Sequence, residues 1–430
     1  MIDSVKAAAS TIAFGLARFY TGNNTGDTPG NLPDPYFWWE AGAMFGTLVD
    51  YWALTGDDSY NAITSQAILH QATENGDFMP RNQTRTLGND DQGFWGMAAM
   101  SAAENNFPNP PADQPQWLAL AQSLFNQYAE RWEEATCGGG LRWQIFTFNN
   151  GFNYKNSISN GCFFNLAARL ARYTGNETYA SWATKIWTWQ ETVGLITPDH
   201  HVRDGVHINL ADNTCPTMDA NEWSYNAGIF LHGAAVMYNH TNSSSAWRTR
   251  VDGMLQGATE TFFNASIMLE QLCEPSGFCN NDQRSFKGYL TRWLAGTTQM
   301  APYTFDTIHP LLTNDATAAA AACVGTPAPA AFKGHPGTAC GFRWTTGGFD
   351  GSTGVGEQMN ALSAVMYTLV SKVAAPVTAD TGGTSKGNVG AKAHEEIGER
   401  PITLGDRVAA GFVTTAIGLG VVAGCAFVTV

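Results

Sequence analysis

Asn89-Asp90-Asp91-Gln92-Gly93-Phe94-Trp95-Gly96-Met97-Ala98-Ala99-Met100-Ser101-Ala102-Ala103 opens on two adjacent acids and runs on through small and apolar residues. Asn-x-x-Gln before an apolar run reads as a helix start with a capping side chain and a reciprocal Gln, and acids in a first turn are favoured by the helix dipole. Capping alone would account for the acids. Their setting points further: aromatic-rich stretches flank the pair, and helical segments of similar length surround it.

Working outward, apolar residues recur at helical spacing over 4–20, 38–54, a segment opening at Asp57, 90–105, 116–132, 154–173, 177–192, 224–240, 246–263, 283–300, 307–323 and 355–373. Twelve helices follow. Thr55-Gly56-Asp57-Asp58-Ser59-Tyr60 and Thr174-Gly175-Asn176-Glu177-Thr178-Tyr179 carry the same punctuation, which reads as a recurring helical hairpin. Segments rich in small residues (Ala98, Ala99, Ala102; Ala167, Ala168, Ala171; Gly228, Gly233, Ala234) alternate with bulkier, more polar ones. A close-packed inner ring inside a water-facing outer ring produces that alternation, so the fold class is all-α, six hairpins closing into a double ring over residues 1–376. Leu141 to Phe148 is the best strand candidate, and the Gly- and Pro-containing segment 21–37 is a long loop of the kind that carries function.

With 14% charged residues and a net charge of -14, the chain lacks the basic surface that nucleic acid or a phosphate-rich partner requires. A neutral partner fits better, and 14 Trp, 13 Tyr and 24 Phe supply faces on which sugar rings stack, although most serve the core. No Cys spacing suits zinc. Cys273 and Cys279 bracket a Gly/Pro loop, Cys323 and Cys340 form a second candidate disulfide, and Cys425 lies in the apolar C-terminal stretch, which leaves Cys137, Cys162 and Cys215 for one bridge and one buried thiol. Sequons at Asn23, Asn82, Asn176, Asn239, Asn242 and Asn264 agree with a secretory route, whereas Met1-Ile2-Asp3-Ser4 opens no signal peptide, so a preceding segment is expected.

Residues 377–407 are rich in Gly, Thr, Ala and charge without apolar period and read as a flexible linker. Residues 408–430 hold no charge and are long enough to span a bilayer. A single-pass anchor competes with a removable glycosylphosphatidylinositol (GPI) signal. The absence of a Lys or Arg after the stretch, and small residues such as Asn388, Gly390 and Ala391 before it, favour the GPI signal. Placement at the outer face of the plasma membrane then follows.

In a double ring, the starts of the inner helices surround one mouth. Tyr36-Phe37-Trp38-Trp39-Glu40, the acid pair, Tyr154-Lys155-Asn156, and Trp223-Ser224-Tyr225-Asn226 preceded by Asp219 all open inner helices. Paired carboxylates among aromatics and amides describe a glycosidase site. Carboxyl groups roughly 5 Å apart give a retaining double displacement, and a wider gap gives inversion. Trp38 and Trp39 face about 100° apart on a helix, so one stacks and one enters the core. Lys155, Tyr225 and Asn226 serve equally well as sugar ligands or as structure, and Trp344 in a Gly-rich loop is a candidate rim residue. His200, His201 and His207 lie in a loop without ligand spacing, so no metal or other cofactor is expected.

GNDDQGFWGMAAMSAAE, WWEAGAMFGTLVDYWALTGD, CGGGLRWQ, YKNSISNGCFFNLAARLARYTGN, WSYNAGIFLHGAA and FKGYLTRWLA, in this order, resemble glycoside hydrolase family 76, the α-1,6-mannanases, and within it the fungal cell-wall branch. The resemblance covers nearly all of residues 3–373. It implies an (α/α)6 barrel and a retaining mechanism, with Asp90 as nucleophile, Asp91 as general acid/base and Asp219 supporting the subsite. It further implies transglycosylation, in which the mannose core of a GPI anchor is cleaved and the anchored protein passed to cell-wall glucan. Plain endo-α-1,6-mannanase hydrolysis and a catalytically idle mannan-binding wall protein are the alternatives. A polysaccharide lyase is disfavoured because the acidic chain would repel uronic acids.

Overall fold

The computed structural model describes residues 2–390 and, beyond them, Thr414 alone. The apolar stretch 408–430, with its anchor or GPI reading, otherwise lies outside the described residues. Among those residues are twelve α-helices: α1 (Ile2–Ala17), α2 (Trp38–Thr55), α3 (Asn61–Gln71), α4 (Asn89–Glu104), α5 (Trp117–Arg131), α6 (Ser157–Thr174), α7 (Glu177–Val193), α8 (Ser224–His240), α9 (Ser245–Phe262), α10 (Phe286–Met300), α11 (Phe305–Ala322) and α12 (Val355–Met366). No helix among the described residues is long and apolar enough to cross a membrane.

The even-numbered helices pack in sequence, α2 on α4, α4 on α6, and so on to α12, which returns to α2. This closed inner ring is buried on nearly all sides, while the odd-numbered helices bury one face only. The result is the expected (α/α)6 barrel. Small residues let the inner ring close: Gly288 of α10 lies against the Asn360 backbone of α12, and Gly228 of α8 against Leu290 of α10, leaving no room for a Cβ. The Thr-Gly punctuation works as a stop signal twice over. Gly56 and Gly175 take left-handed conformations, Thr55 and Thr174 return their hydroxyls to the helix carbonyls at Tyr51 and Leu170, and each then accepts the next segment's N–H.

All inner helices start at one end. The connections there (18–37, 72–88, 132–156, 194–223, 263–285 and 323–354) are long, and those at the opposite end (56–60, 105–116, 175–176, 241–244 and 301–304) are short. Long loops on a rigid scaffold are where a site is built. Two small antiparallel sheets lie in the long connections: β1 (Tyr154–Asn156), β2 (Gly205–His207) and β3 (Thr217–Asp219) in one, β4 (Phe263–Asn264) and β5 (Ile267–Met268) in the other. Residues 154–156 are therefore strand rather than helix start, because their backbone pairs with β2, and the expected arm at 141–148 makes only one isolated bridge, Gln144 to Gly88.

Disulfides Cys273–Cys279 and Cys323–Cys340 form as expected, and the remaining trio resolves into Cys137–Cys215 with Cys162 as the buried thiol. At the closed end the inner helices are joined by ion pairs, Arg169 to Glu104 at 2.6 Å and Arg292 to Asp50 at 2.7 Å. The start of the expected linker is docked there and beyond: Val377 N–H donates to Glu104 O, and Leu118 N–H donates to Ser385 Oγ. Its polar composition hides this attachment because, apart from Val377 packing on the core, hydrogen bonds to the segment's backbone and hydroxyl groups make it.

Candidate active site

Helix α4 begins one residue earlier than its Asn-x-x-Gln pattern suggests. Gly88 occupies the N-cap, and its N–H donates to Asp91 Oδ2 at 2.7 Å, so Asp91 is the reciprocal capping residue. Gln92 turns into the protein, donating to Asp77 O and Gln127 and accepting from Arg131. Asp90 Oδ1 accepts its neighbour's N–H at 3.1 Å, and Asp90 Oδ2 lies 3.5 Å from the Asn156 amide. A side chain at Gly88 would collide with Asp90, which explains glycine at that cap.

Both carboxyls face a cavity of about 330 Å³ in the open end of the barrel. Trp39 of α2, Phe94 of α4, Asn156 at the start of α6, Tyr225 of α8 and Phe286 of α10 line it, with Trp143, Tyr154 and Trp223 from the loops. Tyr225 and Phe286 stack 3.8 Å apart, and Trp39 packs on Phe94. A second hollow of about 410 Å³ shares Trp39, Asp91, Trp143 and Asp282 with the first. Asp91 thus stands at the junction of two lobes, while Asp90 lines the first alone.

Burial raises the pKa of Asp90 well above the carboxylate range, reinforced by the adjacent Asp91. Burial likewise lifts Asp91 to about 7, with the Gly88 N–H opposing and Asp282 adding to the rise. Two interacting carboxyls that resist ionisation favour a singly ionised state over a doubly ionised one. That is the state in which one acts as an acid and the other as a base or nucleophile.

Two further acids line the first lobe that the sequence reading passed over. Asp204 accepts Tyr154 Oη–H at 2.6 Å and the Asn226 amide at 3.4 Å, and Asp282 accepts Trp39 Nε1–H at 3.0 Å. Burial raises both. Asn280-Asn281-Asp282-Gln283 matches Asn89-Asp90-Asp91-Gln92 at three of four positions just ahead of an inner helix, a signal open to recognition; Asp204 sits in a loop with no such mark. No Lys or Arg is among the described residues of this wall.

Several expected ligands are placed elsewhere. Lys155 is fully buried, its ammonium donating to the carbonyls of Glu133, Thr136 and Gly139, so it ties a loop down instead of meeting a sugar. Trp344 is buried beneath Lys287, 4.3 Å from its ammonium, away from both lobes. Asp219 caps its own turn by accepting Asn221 N–H and is not part of either wall; Asp204 occupies the position expected of it. Glu40 is a buried cap accepting Phe37 N–H, its pKa raised by burial to about 8. Trp38 is the core member of its pair, bonded to Gln71 and packed on Trp95, with only an edge on the second lobe. Asn226 orients Asp204 from behind. His201 pairs with Glu222, and His207 packs on Tyr154.

Comparison with known proteins follows the same outline. The family model for glycosyl hydrolase family 76 matches residues 4–380. The mannan endo-1,6-alpha-mannosidase DCW1 of Saccharomyces cerevisiae is 46% identical over 426 residues, 98% of this chain and 92% of that protein. The crystal structure of Dfg5 from Chaetomium thermophilum in complex with glucosamine superposes with a TM-score of 0.86 at 47% identity, covering 92% of this chain and 97% of that one. The α-1,6-mannanase of Salegentibacter sp. HEL1_6 shares the fold, with a TM-score of 0.66 at 16% identity over 85% of this chain and 99% of that one. The chain belongs to glycosyl hydrolase family 76.

Proposed function

We propose that this protein is a retaining enzyme of the cell wall that cleaves α-1,6-mannosides and transfers the mannosyl group to a sugar acceptor. The observation that carries the reading is the placement of Asp91 between two lobes with Asp90 in one. A leaving group departs into the second lobe past Asp91, which protonates it, while Asp90 attacks the anomeric carbon of the mannose held in the first. The covalent mannosyl-enzyme is then opened by a hydroxyl that Asp91 deprotonates. An acceptor sugar in the second lobe replaces water in that step, and transfer results.

The substrate class follows from relatives and wall chemistry together. Similar proteins are named mannan endo-1,6-alpha-mannosidases, and a similar fungal structure holds glucosamine. The first lobe presents four carboxyls and aromatic faces, which suits a neutral mannose next to a protonated amino sugar. The core glycan of a GPI anchor joins these two sugars. The donor is accordingly a GPI-linked protein, the acceptor is cell-wall glucan, and the enzyme works at the outer face of the plasma membrane, itself held by a GPI anchor.

Incubating the protein with α-1,6-mannotriose, with and without glucan oligosaccharides, tests this directly. Wild type should form mannosylated glucan product, and Asp90→Asn and Asp91→Asn should each lose at least ~1000-fold in rate. Binding of mannotriose without turnover by wild type would make the chain a glycan-binding protein instead.

A further inference from the structure

The large hydrophobic side chains left exposed are distributed unevenly along the barrel axis. Phe278, Leu210 and Phe148 are 85%, 73% and 68% exposed, and Phe37, Leu272 and Val324 are also exposed. All six lie in the long connections at the open end. Three others among the described residues are exposed: Ile2 and Tyr303 at the closed end, where Tyr303 is engaged by Asp252 and Arg248, and Val389 beside α5. Phe278 is held outward by the small loop that Cys273–Cys279 closes.

Phe37 is the N-cap of α2 and edges the second lobe, so the sugar site accounts for it; exposing the other five apolar groups around one opening is costly in water and marks a contact surface. Aromatic residues alone would suit a polysaccharide, since sugar rings stack on ring faces. Leu210, Leu272 and Val324 have no ring to offer. Aliphatic and Phe side chains at the tips of loops suit the acyl boundary of a bilayer. The net charge of -14 makes that surface a neutral or zwitterionic one, since an anionic leaflet would repel it.

The course of the chain agrees. After crossing the closed end near Glu104, it turns up the outside of α5: Ser385 meets Leu118, Asn388 meets Gln122 and Val389 meets Asn126. This is a climb of ~12 Å along a helix whose last residue, Arg131, touches Gln92 at the open end. Seventeen residues, 391–407, then separate it from the uncharged stretch 408–430, enough to reach ~55 Å. Over residues 385–389 the chain thus heads toward the open end, and the small residues expected before the GPI signal, Asn388 and Gly390, fall at the end of that climb.

We propose that the rim of the open end, with Phe278, Phe148 and Leu210 foremost, seats on a zwitterionic lipid surface and presents the cavity to glycans carried by lipids in it. The contact itself is independent of the mannoside chemistry; the choice of a lipid-linked glycan as substrate rests on the function proposed above.

Two measurements on the full chain test it in phosphatidylcholine vesicles. In a Cys425→Ser background, an environment-sensitive fluorophore is placed at Phe278→Cys or, as a closed-end reference, at Tyr303→Cys. Blue-shifted emission quenched by acyl-brominated lipid at position 278 alone supports the contact, and equal exposure to water at both positions overturns it. In the second measurement, the triple variant Phe278→Asp, Phe148→Asp, Leu210→Asp acts on an α-1,6-mannoside glycolipid embedded in vesicles and on soluble mannotriose. Loss of about tenfold on the glycolipid with the soluble rate unchanged supports the proposal. Equal loss on both makes the rim a sugar platform and overturns it, as does no loss on either. If wild type turns over neither substrate, the enzymatic reading fails, and the quenching measurement still decides the lipid contact.

Discussion

At the scale of single residues, the acid pair is an electrostatic device set by its neighbours. Asp282 contributes to holding Asp91 at about 7. The general acid must be protonated, so kcat/KM should fall as pH rises through the upper limb of its profile. Asp282→Asn removes a nearby negative charge and should move that limb to lower pH, while an unmoved or alkaline-shifted limb would separate Asp282 from the pair. Lys155 makes a different point. Its ammonium donates to three carbonyls in the interior, and Thr136 O alone keeps a second donor, the Gly139 N–H, so Lys155→Met strips the Glu133 and Gly139 carbonyls of their partner and should cost about 3–5 kcal/mol, read from denaturant unfolding. Capping alone would account for two acids at a helix start; Asp90 and Asp91 stood out because aromatic-rich stretches flank them and helical segments of similar length surround them. Lys155 and Trp344 misled because composition cannot tell a buried cation or indole from one that lines a cleft.

At the scale of elements, the helices were legible from apolar spacing, and the Thr-Gly stops from the left-handed residue each requires. The strand at 154–156 was not, because its partners lie some fifty residues away and three residues give no period to read. The docked segment 377–390 escaped for a related reason: it is held by backbone and hydroxyl hydrogen bonds, which leave no apolar pattern. Small residues, by contrast, reported the inner ring faithfully. Gly288 N–H donates to Asn360 Oδ1 at 2.6 Å across the α10–α12 contact, and a Cβ there would press on Asn360. Gly288→Val should therefore force those helices apart and lower stability by about 2–3 kcal/mol, measurable as a drop in the unfolding midpoint. An unchanged midpoint would show that the inner ring yields more easily than its packing implies.

At the scale of the molecule, the barrel divides its labour between two ends. Ion pairs and short turns lock one end, which frees the long connections at the other to carry acids, aromatics and exposed apolar tips. The architecture was legible because alternation of small and bulky helices is a whole-chain pattern. The second lobe was not, since it arises where four separate connections meet. In the function proposed above, Asp90 forms a covalent bond to mannose while Asp91 serves the departing and arriving sugars. Trapping the enzyme with a fluorinated mannosyl fluoride and mapping the adduct by peptide mass spectrometry tests this most directly. The mannosyl group should be found on Asp90; an adduct on Asp91, or on Asp204, would contradict it.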